Sequence, residues 1–478
     1  MIRRQLINFQ NRSVDVRVGF GAFEELSRMF ASAVGKPKRA MVVWNAVVSE
    51  RFGEVVDHAL VDAGFAVSQL LLEVSPAGAT LADADAVFGA LAANGIYCDD
   101  LVVAVGDAAT CSVVCWCANQ WCGRTECALL PTTFDAMLTV ATTMEPLVAS
   151  GDHALPAIAV RPEPGLVVCN LDLVRESNPE DLKLGYAVLV GTMLSSSKSR
   201  WNQFSETVPE ILAGEEVALV NAVQWSQTAR KDVLMATNPS ARHALDFGKT
   251  GERTLRVCLG NAAAQVPAYQ LLSEGMRFEA RLAHDACDFD IDYVFEVDDC
   301  LEDFGIEELA FDLEPEAFIA EFRRQQFARS NRTMLPLPAA LVSRDLAGDP
   351  AGNGALVHVV DPGAAGGRVL LKAVEVARVG VEQALVSRNK RGVRELEGVV
   401  EDALHAREPT KVSLVAHHDG IVATLDHQGT DTLDTTGRTG SKLRHAVSFL
   451  DVLNKSGTGS IGTRNRERFA TDKTRSPT

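Results

Sequence analysis

The 478-residue sequence lacks an apolar run long enough to span a bilayer, and it has no surplus of basic residues. Its N-terminus, Met1-Ile2-Arg3-Arg4-Gln5, leads into mixed polar sequence rather than into the apolar segment of a signal peptide. The formal net charge is -17, so we expect the protein to repel nucleic acid and anionic membranes. These absences predict a cytoplasmic protein that binds neither nucleic acid nor membranes.

The sequence also lacks the spacing of common structural metal sites. Five of its ten cysteines are clustered: Cys111, Cys115, Cys117, Cys122 and Cys127. This spacing does not fit paired zinc knuckles, and the apolar neighbours favour packing inside a buried helix, with a metal or redox role as the alternative. The acidic stretch at 285–316 lacks the glycine and glutamate offsets of a calcium loop, so we interpret it as a solvated face.

Composition and length describe a globular chain of several domains. The sequence is 47% hydrophobic and 23% charged, and 478 residues suffice for two or three domains. Up to residue 172, short apolar runs alternate with helical patterns, which predicts a parallel sheet with helices on both faces. The predicted strands are 14–18, 40–44, 65–72, 101–105, 128–131 and 165–168, and the predicted helices are 23–30, 51–63 and 81–93.

The sequence after residue 172 has a different hydrophobic pattern. Long helical patterns at 180–195, 215–237, 269–284 and 314–328 predict a mostly α-helical region. A Gly- and Asp-rich linker at 345–354 precedes a predicted strand at 356–360, a helix at 368–406 and a hairpin of 411–416 with 421–425. We therefore predict domains at 1–172, 173–345 and 346–453, and a disordered tail at 454–478.

Five segments, taken in order, carry a resemblance to one family. They are D-D-L-V-V-A-V-G at 99–106, L-P-T-T at 130–133, V-C-N-L-D-L at 168–173, A-L-D-F-G-K-T at 244–250 and G-M-R-F-E-A-R-L-A at 275–283. Through them, residues 10–345 resemble 3-dehydroquinate synthase and the related sugar-phosphate cyclases. The resemblance implies an α/β plus α fold, in which a Rossmann-like parallel-sheet domain precedes a mostly α-helical domain and a cleft lies between them. It leaves residues 350–478 as an extra small C-terminal α/β segment.

Relatives of this kind use NAD and zinc to convert 3-deoxy-D-arabino-heptulosonate 7-phosphate to 3-dehydroquinate. Where the resemblance places the three zinc ligands, this sequence has Val188, Lys249 and Ala268. An aliphatic side chain has no donor atom for zinc, and an ammonium has no free lone pair. A further family histidine is replaced by Arg253, and a catalytic lysine by Gly191. We therefore predict that the family's metal position has no ligands.

The dinucleotide loop of the family is also altered. A G-G-G-x-x-x-D loop is expected after the strand at 101–105, but the sequence there is G-D-A-A-T-C-S. Asp107 would place a carboxylate beside a pyrophosphate, and we favour the interpretation that it caps the following helix. Asn45 takes the place of the family's acidic ribose partner. The cofactor-binding positions, vestigial on this view, are Asn45, Gly106, Asp107, Thr132 and Thr133.

The substrate-binding cations of the family are mostly replaced, and two of its lysines align with Glu145 and Asp152. The surviving or nearby positions are Arg242, Lys231, Asp246, Lys249 and Arg253. Together with Glu252, several of these charges are expected to form an internal ion network, with binding of an anionic small molecule as the alternative. His417-His418-Asp419 is a separate candidate for a metal ligand or general base.

These substitutions predict a non-catalytic homologue that needs no cofactor. The resemblance implies a homodimer, or a heteromer with a related synthase, as its assembly. The alternative is an active or diverged 3-dehydroquinate synthase, a phosphate lyase of the shikimate pathway, that retains NAD and zinc.

Overall fold

A computed structural model describes most of the first 326 residues and short segments beyond them. The described residues are 2–10, 12–75, 77–149, 156–158, 160–161, 163–236, 239–287, 289–309, 311, 313–326, 335–338, 357–360, 411–417, 420–426 and 432–433. The chain divides into two compact units, one of Met1–Glu307 with Ile319–Ala377 and one of Glu308–Phe318 with Arg378–Thr478.

The described residues form the following regular elements. The strands are β1 (Ile2–Asn8), β2 (Ser13–Gly19), β3 (Arg39–Trp44), β4 (Ala66–Leu71), β5 (Leu101–Gly106), β6 (Glu126–Pro131), β7 (Leu147–Val148), β8 (Pro156–Ile158), β9 (Leu166–Asn170), β10 (Leu335–Pro338), β11 (Val357–Val360), β12 (Lys411–His417), β13 (Gly420–Asp426) and β14 (Thr432–Leu433). The α-helices are α1 (Leu26–Ala33), α2 (Ala46–Asp62), α3 (Leu81–Ala93), α4 (Ala108–Gln120), α5 (Phe134–Thr139), α6 (Asp172–Glu176), α7 (Pro179–Leu194), α8 (Lys198–Leu212), α9 (Glu216–Leu234), α10 (Lys249–Leu259), α11 (Ala268–Cys287), α12 (Ile291–Asp303) and α13 (Pro315–Gln326).

A seven-stranded sheet organises the first unit. Its strand order is β1-β2-β9-β6-β5-β3-β4, and every neighbouring pair is parallel except β1 with β2. The central strands are continuous apolar runs and are buried, which is expected for a parallel sheet covered on both faces. The predicted Rossmann-like parallel sheet is confirmed, whereas the antiparallel edge strand β1 was not predicted.

Local capping explains where the helices beside the sheet begin. Helix α3 matches its predicted bounds because Thr80 and Asp83 form a capping box at its start. Helix α2 begins five residues before the predicted position, because Asn45 caps it. Helix α4 is buried along most of its length, as its apolar sequence indicated.

Four of the five clustered cysteines lie in the core. Those on α4 and β6 are buried: Cys111, Cys115, Cys117 and Cys127. Burial raises the pKa of the Cys117 thiol to about 12, so these groups are neutral packing side chains. The prediction of core packing is confirmed for these four and is wrong for Cys122, which is exposed.

The helical region runs from α6 to α13 and contains all four predicted helices. It also contains α6, α8, α10 and α12, which were not predicted. Helix α12 lies in the acidic stretch, where Asp292, Glu296 and Asp299 are exposed as expected. For Asp298 the expectation of a solvated side chain is wrong, because Asp298 is buried and accepts a hydrogen bond from Arg281 at 2.9 Å.

Helix α9 is hydrogen-bonded to α5 and to the edge strand β1. Ser226 donates a hydrogen bond to the carbonyl of Leu138, and Gln227 donates one to the carbonyl of Met137. On another face of α9, Asn221 accepts a hydrogen bond from Arg3 of β1. Near the end of this unit, β11 pairs with β10, which confirms the strand predicted at 356–360.

The second unit contains a three-stranded antiparallel sheet, β12-β13-β14. The pairing of β12 with β13 confirms the predicted hairpin. His418 and Asp419 of the proposed histidine cluster lie outside the described residues, as does the whole of the helix predicted at 368–406. Among the described residues, no helix combines the length and apolarity needed to cross a bilayer.

Candidate functional site

The candidate site lies where β5 and β6 end, at the carboxyl edge of the sheet. Parallel α/β sheets bind ligands at this edge, because helix N-termini and loops converge there. Gly106 ends β5 and Pro131 ends β6, and the two are paired in register. The N–H of Thr132 donates a hydrogen bond to the carbonyl of Gly106 at 2.8 Å, and Thr133 precedes α5. The predicted positions Gly106, Thr132 and Thr133 are therefore brought together.

Asp107 caps α4 at this edge, as the sequence indicated. Its backbone is extended, and its Oδ1 accepts a hydrogen bond from the N–H of Thr110 at 2.8 Å. A Cβ on Gly106 would lie 3.0 Å from the Cβ of Thr110, so the turn into the helix is tight. The carboxylate thus occupies the helix N-terminus, where a phosphate group would otherwise be favoured.

Asn45 also serves as a helix cap. It follows β3, and its Oδ1 accepts a hydrogen bond from the N–H of Val48 at 2.8 Å. The neighbouring Ala46 N–H donates to Glu73 at 2.9 Å. The polar atom that would face a ribose is therefore engaged by the backbone of its own helix.

The three positions assigned to zinc ligands begin or line helices of the first unit. Val188 is on α7, Lys249 is the first residue of α10, and Ala268 is the first residue of α11. Neither aliphatic side chain carries a donor atom, and an ammonium beside a divalent cation is repelled. Among the described residues, no group of three or more His, Cys, Asp or Glu side chains is arranged to hold a metal ion. These residues therefore do not fit the zinc site of the family.

Several carboxylates lie near Lys249. One of them belongs to Glu145, whose backbone N–H donates to the Oγ of Ser112 on α4 at 2.9 Å. Desolvation raises the pKa of the Glu145 carboxyl to about 7; Lys249 opposes this rise, and three neighbouring carboxylates add to it. Those carboxylates are Asp135, Asp107 and Glu252. At this position, where the resemblance places a lysine, the chain therefore has a carboxyl group with Lys249 near it.

Several of the charges singled out in the sequence form local pairs. Lys231 lies 3.2 Å from Asp232, His243 lies 3.6 Å from Asp246, and Arg256 lies 3.0 Å from Glu252. The partners found for Asp246 and Glu252 were not in the proposed network. Its remaining members are placed as follows: Arg242 is exposed before α10, and Arg253 lies on α10 near Glu279.

Glu279 fixes the start of the helix that carries Lys249. Its carboxyl group is buried on α11 and accepts hydrogen bonds from the N–H groups of Gly248 and Gly251, at 2.6 and 2.9 Å. The helices cross closely there, since a Cβ on Gly251 would lie 2.6 Å from the Cα of Gly275. The motif at 275–283 thus has a physical role, because it supplies both the close crossing and the carboxylate that caps α10.

Arg230 is a cation of this region that sequence reasoning missed. Only 8% of it is exposed, and it donates to Thr192 of α7 at 2.8 Å and twice to the hydroxyl of Thr143, at 3.0 and 2.5 Å. Desolvation lowers the pKa of its guanidinium to about 10, and Asp246 opposes the shift. The sequence indicated the neighbouring Lys231 instead, because no local sequence pattern distinguishes a buried cation from an exposed one.

Comparisons with known proteins agree with the motif resemblance. No family model matches the chain. It is 25% identical over 292 residues to the 3-dehydroquinate synthase of Caulobacter vibrioides (strain NA1000 / CB15N), covering 59% of this chain and 77% of that protein. It is 21% identical over 286 residues to the 3-dehydroquinate synthase of Symbiobacterium thermophilum, covering 56% of this chain and 78% of that protein.

Solved structures share the fold at lower identity. A 2-deoxy-scyllo-inosose synthase, complexed with carbaglucose-6-phosphate, NAD+ and Co2+, has a TM-score of 0.62 at 15% identity and covers 79% of this chain and 100% of its own. The 2-epi-5-epi-valiolone synthase ValA of Streptomyces hygroscopicus, with NAD+ and Zn2+ bound, has a TM-score of 0.61 at 15% identity and covers 81% and 99%. At this identity, the likeness concerns the fold alone.

Proposed function

Because this chain is a divergent member of the 3-dehydroquinate synthase family, we propose that it keeps the family fold without the NAD- and zinc-dependent reaction and acts as a non-catalytic homologue. The observation that carries the proposal is Lys249, an ammonium at a ligand position, facing the carboxylate of Glu145. A protein can lose its catalytic activity and keep its fold, because packing and catalysis depend on different residues.

The three family ligand positions lack donor atoms for zinc. A catalytic zinc needs about three protein ligands with nitrogen, oxygen or sulfur donors. Val188 and Ala268 offer none, and Lys249 would have to lose its proton. We therefore assign no step of this protein to a metal ion.

The start of α4 differs from a dinucleotide site in its charge and in the accessibility of its backbone. A pyrophosphate binds a helix N-terminus through backbone N–H groups and positive potential. At α4 the carboxylate of Asp107 takes that position and binds the N–H of Thr110. Ala108 follows it where the family has its third glycine, so the backbone is less accessible. These residues do not fit the family's NAD site.

A diverged enzyme is the second candidate. The observation in its favour is that the Glu145 carboxyl, with a pKa of about 7, lies near the Lys249 amine. A carboxyl with a pKa near neutrality is suited to general acid or base catalysis. On this view the cleft performs a reaction that needs neither zinc nor NAD.

The proposed role includes a partner. The resemblance points to a homodimer, or to a heteromer with a related synthase, in which this chain contributes structure rather than chemistry. Light scattering after gel filtration, with this chain alone and mixed with such a synthase, tests both assemblies. A monomer in both samples would remove this part of the proposal.

Metal and NAD binding test the loss of the ancestral reaction. The full chain is incubated with zinc, desalted, and analysed for bound metal, and its unfolding is followed with and without NAD. We expect substoichiometric zinc and no NAD stabilisation, whereas a binder would gain about 2.7 kcal/mol at a hundredfold excess over its Kd. Stoichiometric zinc together with NAD stabilisation would contradict the proposal.

A matched variant makes the metal test sharper. The triple change Val188→Glu, Lys249→His, Ala268→His restores the three donor types at the family positions. We expect it to retain more zinc than the wild type, while Lys231→His, on α9, serves as the control. The wild type is also assayed for conversion of 3-deoxy-D-arabino-heptulosonate 7-phosphate to 3-dehydroquinate, and we expect none.

A further inference from the structure

Two exposed cysteines lie on neighbouring loops at the amino edge of the sheet, opposite the edge that carries the candidate site. Cys98 is in the loop between α3 and β5, and Cys122 is in the loop between α4 and β6. Both are exposed, whereas the cysteines on α4 itself are buried. We call Cys98 and Cys122 the exposed thiol pair.

Strand pairing and hydrogen bonds hold the two loops side by side. Strands β5 and β6 are adjacent and parallel, with Leu101 opposite Glu126, so the loops enter the sheet about 4.8 Å apart. Trp121, next to Cys122, donates its indole N–H to the carbonyl of Ile96 at 2.7 Å. Thr125 donates its hydroxyl to the carbonyl of Tyr97, next to Cys98, at 3.3 Å. Each cysteine therefore adjoins a residue that bonds the opposite loop.

The backbone at Cys122 is unusual. Cys122, Gly123 and Arg124 have successive φ values of 49°, 82° and 141°, all in the region that favours glycine. A residue other than glycine adopts such a conformation only a few per cent of the time. This turn follows α4 and its buried cysteines, and it leaves the thiol of Cys122 exposed to solvent.

We propose that Cys98 and Cys122 form a redox-active dithiol, which closes into an intramolecular disulfide by exchange with a low-molecular-weight disulfide. One thiolate attacks the small disulfide, forms a mixed disulfide and releases one small thiol. The second cysteine, as its thiolate, then attacks the protein sulfur of that mixed disulfide and releases the second small thiol. The protein loses two protons and two electrons, and the small disulfide takes them up as two thiols.

Among the cysteines whose side chains the structure describes, Cys98 and Cys122 are the two that are exposed. Exchange needs a thiol that the small disulfide can reach. The buried thiols Cys111, Cys115 and Cys127 are shielded and are internal controls within the same chain.

The test uses the full chain under native conditions. The protein is incubated with oxidised glutathione, its remaining thiols are blocked with N-ethylmaleimide, and its peptides are analysed by mass spectrometry. We expect a peptide pair joined through Cys98 and Cys122, with Cys111, Cys115 and Cys127 blocked only after denaturation.

Three variants complete the test. Cys122→Ser should leave a glutathione adduct at Cys98, and Cys98→Ser should leave one at Cys122, with no internal link in either. Cys258→Ser, at a half-buried thiol away from the pair, should leave the link unchanged. Separate adducts on both cysteines of the wild type, a link only between two copies of the chain, or no reaction would each overturn the proposal.

Discussion

Asp107 accepts a hydrogen bond from the backbone N–H of Thr110 at 2.8 Å, and this contact begins the helix that follows the central strand β5. The first N–H groups of a helix have no partner within the helix, so an anionic group is favoured there. The chain supplies that group from its own side chain. One residue therefore both stabilises α4 and places a negative charge where a phosphate would bind.

Replacing Asp107 separates these two roles. Asp107→Ala removes the cap and is expected to lower the free energy of unfolding by about 1 kcal/mol. Asp107→Asn keeps an acceptor oxygen and should stay within about 0.5 kcal/mol of the wild type. Urea unfolding of the three proteins measures both differences. If both variants lose the same amount, the charge matters more than the hydrogen bond.

The sequence predicted features that depend on local patterns. The buried strands were predictable from apolar runs, and the Asp107 cap from a carboxylate between a strand and a helix. The surroundings of Glu145 were not predictable, because Ser112, Lys249 and Glu252 come from distant parts of the chain. The same holds for Arg230, whose partners Thr143 and Thr192 are 87 and 38 residues away. Tertiary contacts of this kind leave no local signal.

The close crossing of α10 and α11 should be sensitive to one methyl group. In Gly275→Ala the new Cβ would collide with the carbonyl oxygen of Gly248 and lie 2.7 Å from the N–H nitrogen of Glu252. Overpacking of this kind costs about 1–3 kcal/mol, so we expect a clear loss of stability in thermal and urea unfolding.

Gly89→Ala is the matched control for this crossing. Gly89 is within α3, and a Cβ there would meet nothing within 4 Å. Alanine favours a helix over glycine by about 1 kcal/mol, so this variant should be slightly more stable than the wild type. Two alanine variants with equal effects would show that the crossing tolerates the methyl group.

Removing Lys249 should alter the titration of Glu145. Lys249 lowers the pKa of the Glu145 carboxyl, while desolvation and three other carboxylates raise it to about 7. In Lys249→Met the opposing charge is gone, so the pKa is expected to rise above its wild-type value. NMR titration of the side-chain carboxyl carbons, assigned with Glu145→Gln, measures the change. Lys231→Met is the control and should leave this titration unchanged.

Glu279 gives the candidate site a pH-dependent contribution to stability. Desolvation raises the pKa of its carboxyl from 4.5 to about 8, against the hydrogen bonds from Gly251 and Gly248. Between these two pH values the folded chain holds a proton that the unfolded chain has lost. This group therefore lowers the free energy of unfolding as the pH rises through that window, by up to about 1.4 kcal/mol per pH unit.

Glu279→Gln tests this linkage, because an amide does not titrate. The amide can accept only one of the two N–H bonds through its oxygen, so we expect the variant to be less stable than the wild type at pH 5. The deficit should shrink as the pH approaches 8, since only the wild type loses stability over that range. Urea unfolding at half-unit pH steps measures it, with Glu252→Gln, at a partly exposed pair with Arg256, as the control. A deficit that stays constant with pH would mean that the two N–H donors keep Glu279 ionised in the folded protein, and that their hydrogen bonds outweigh its desolvation.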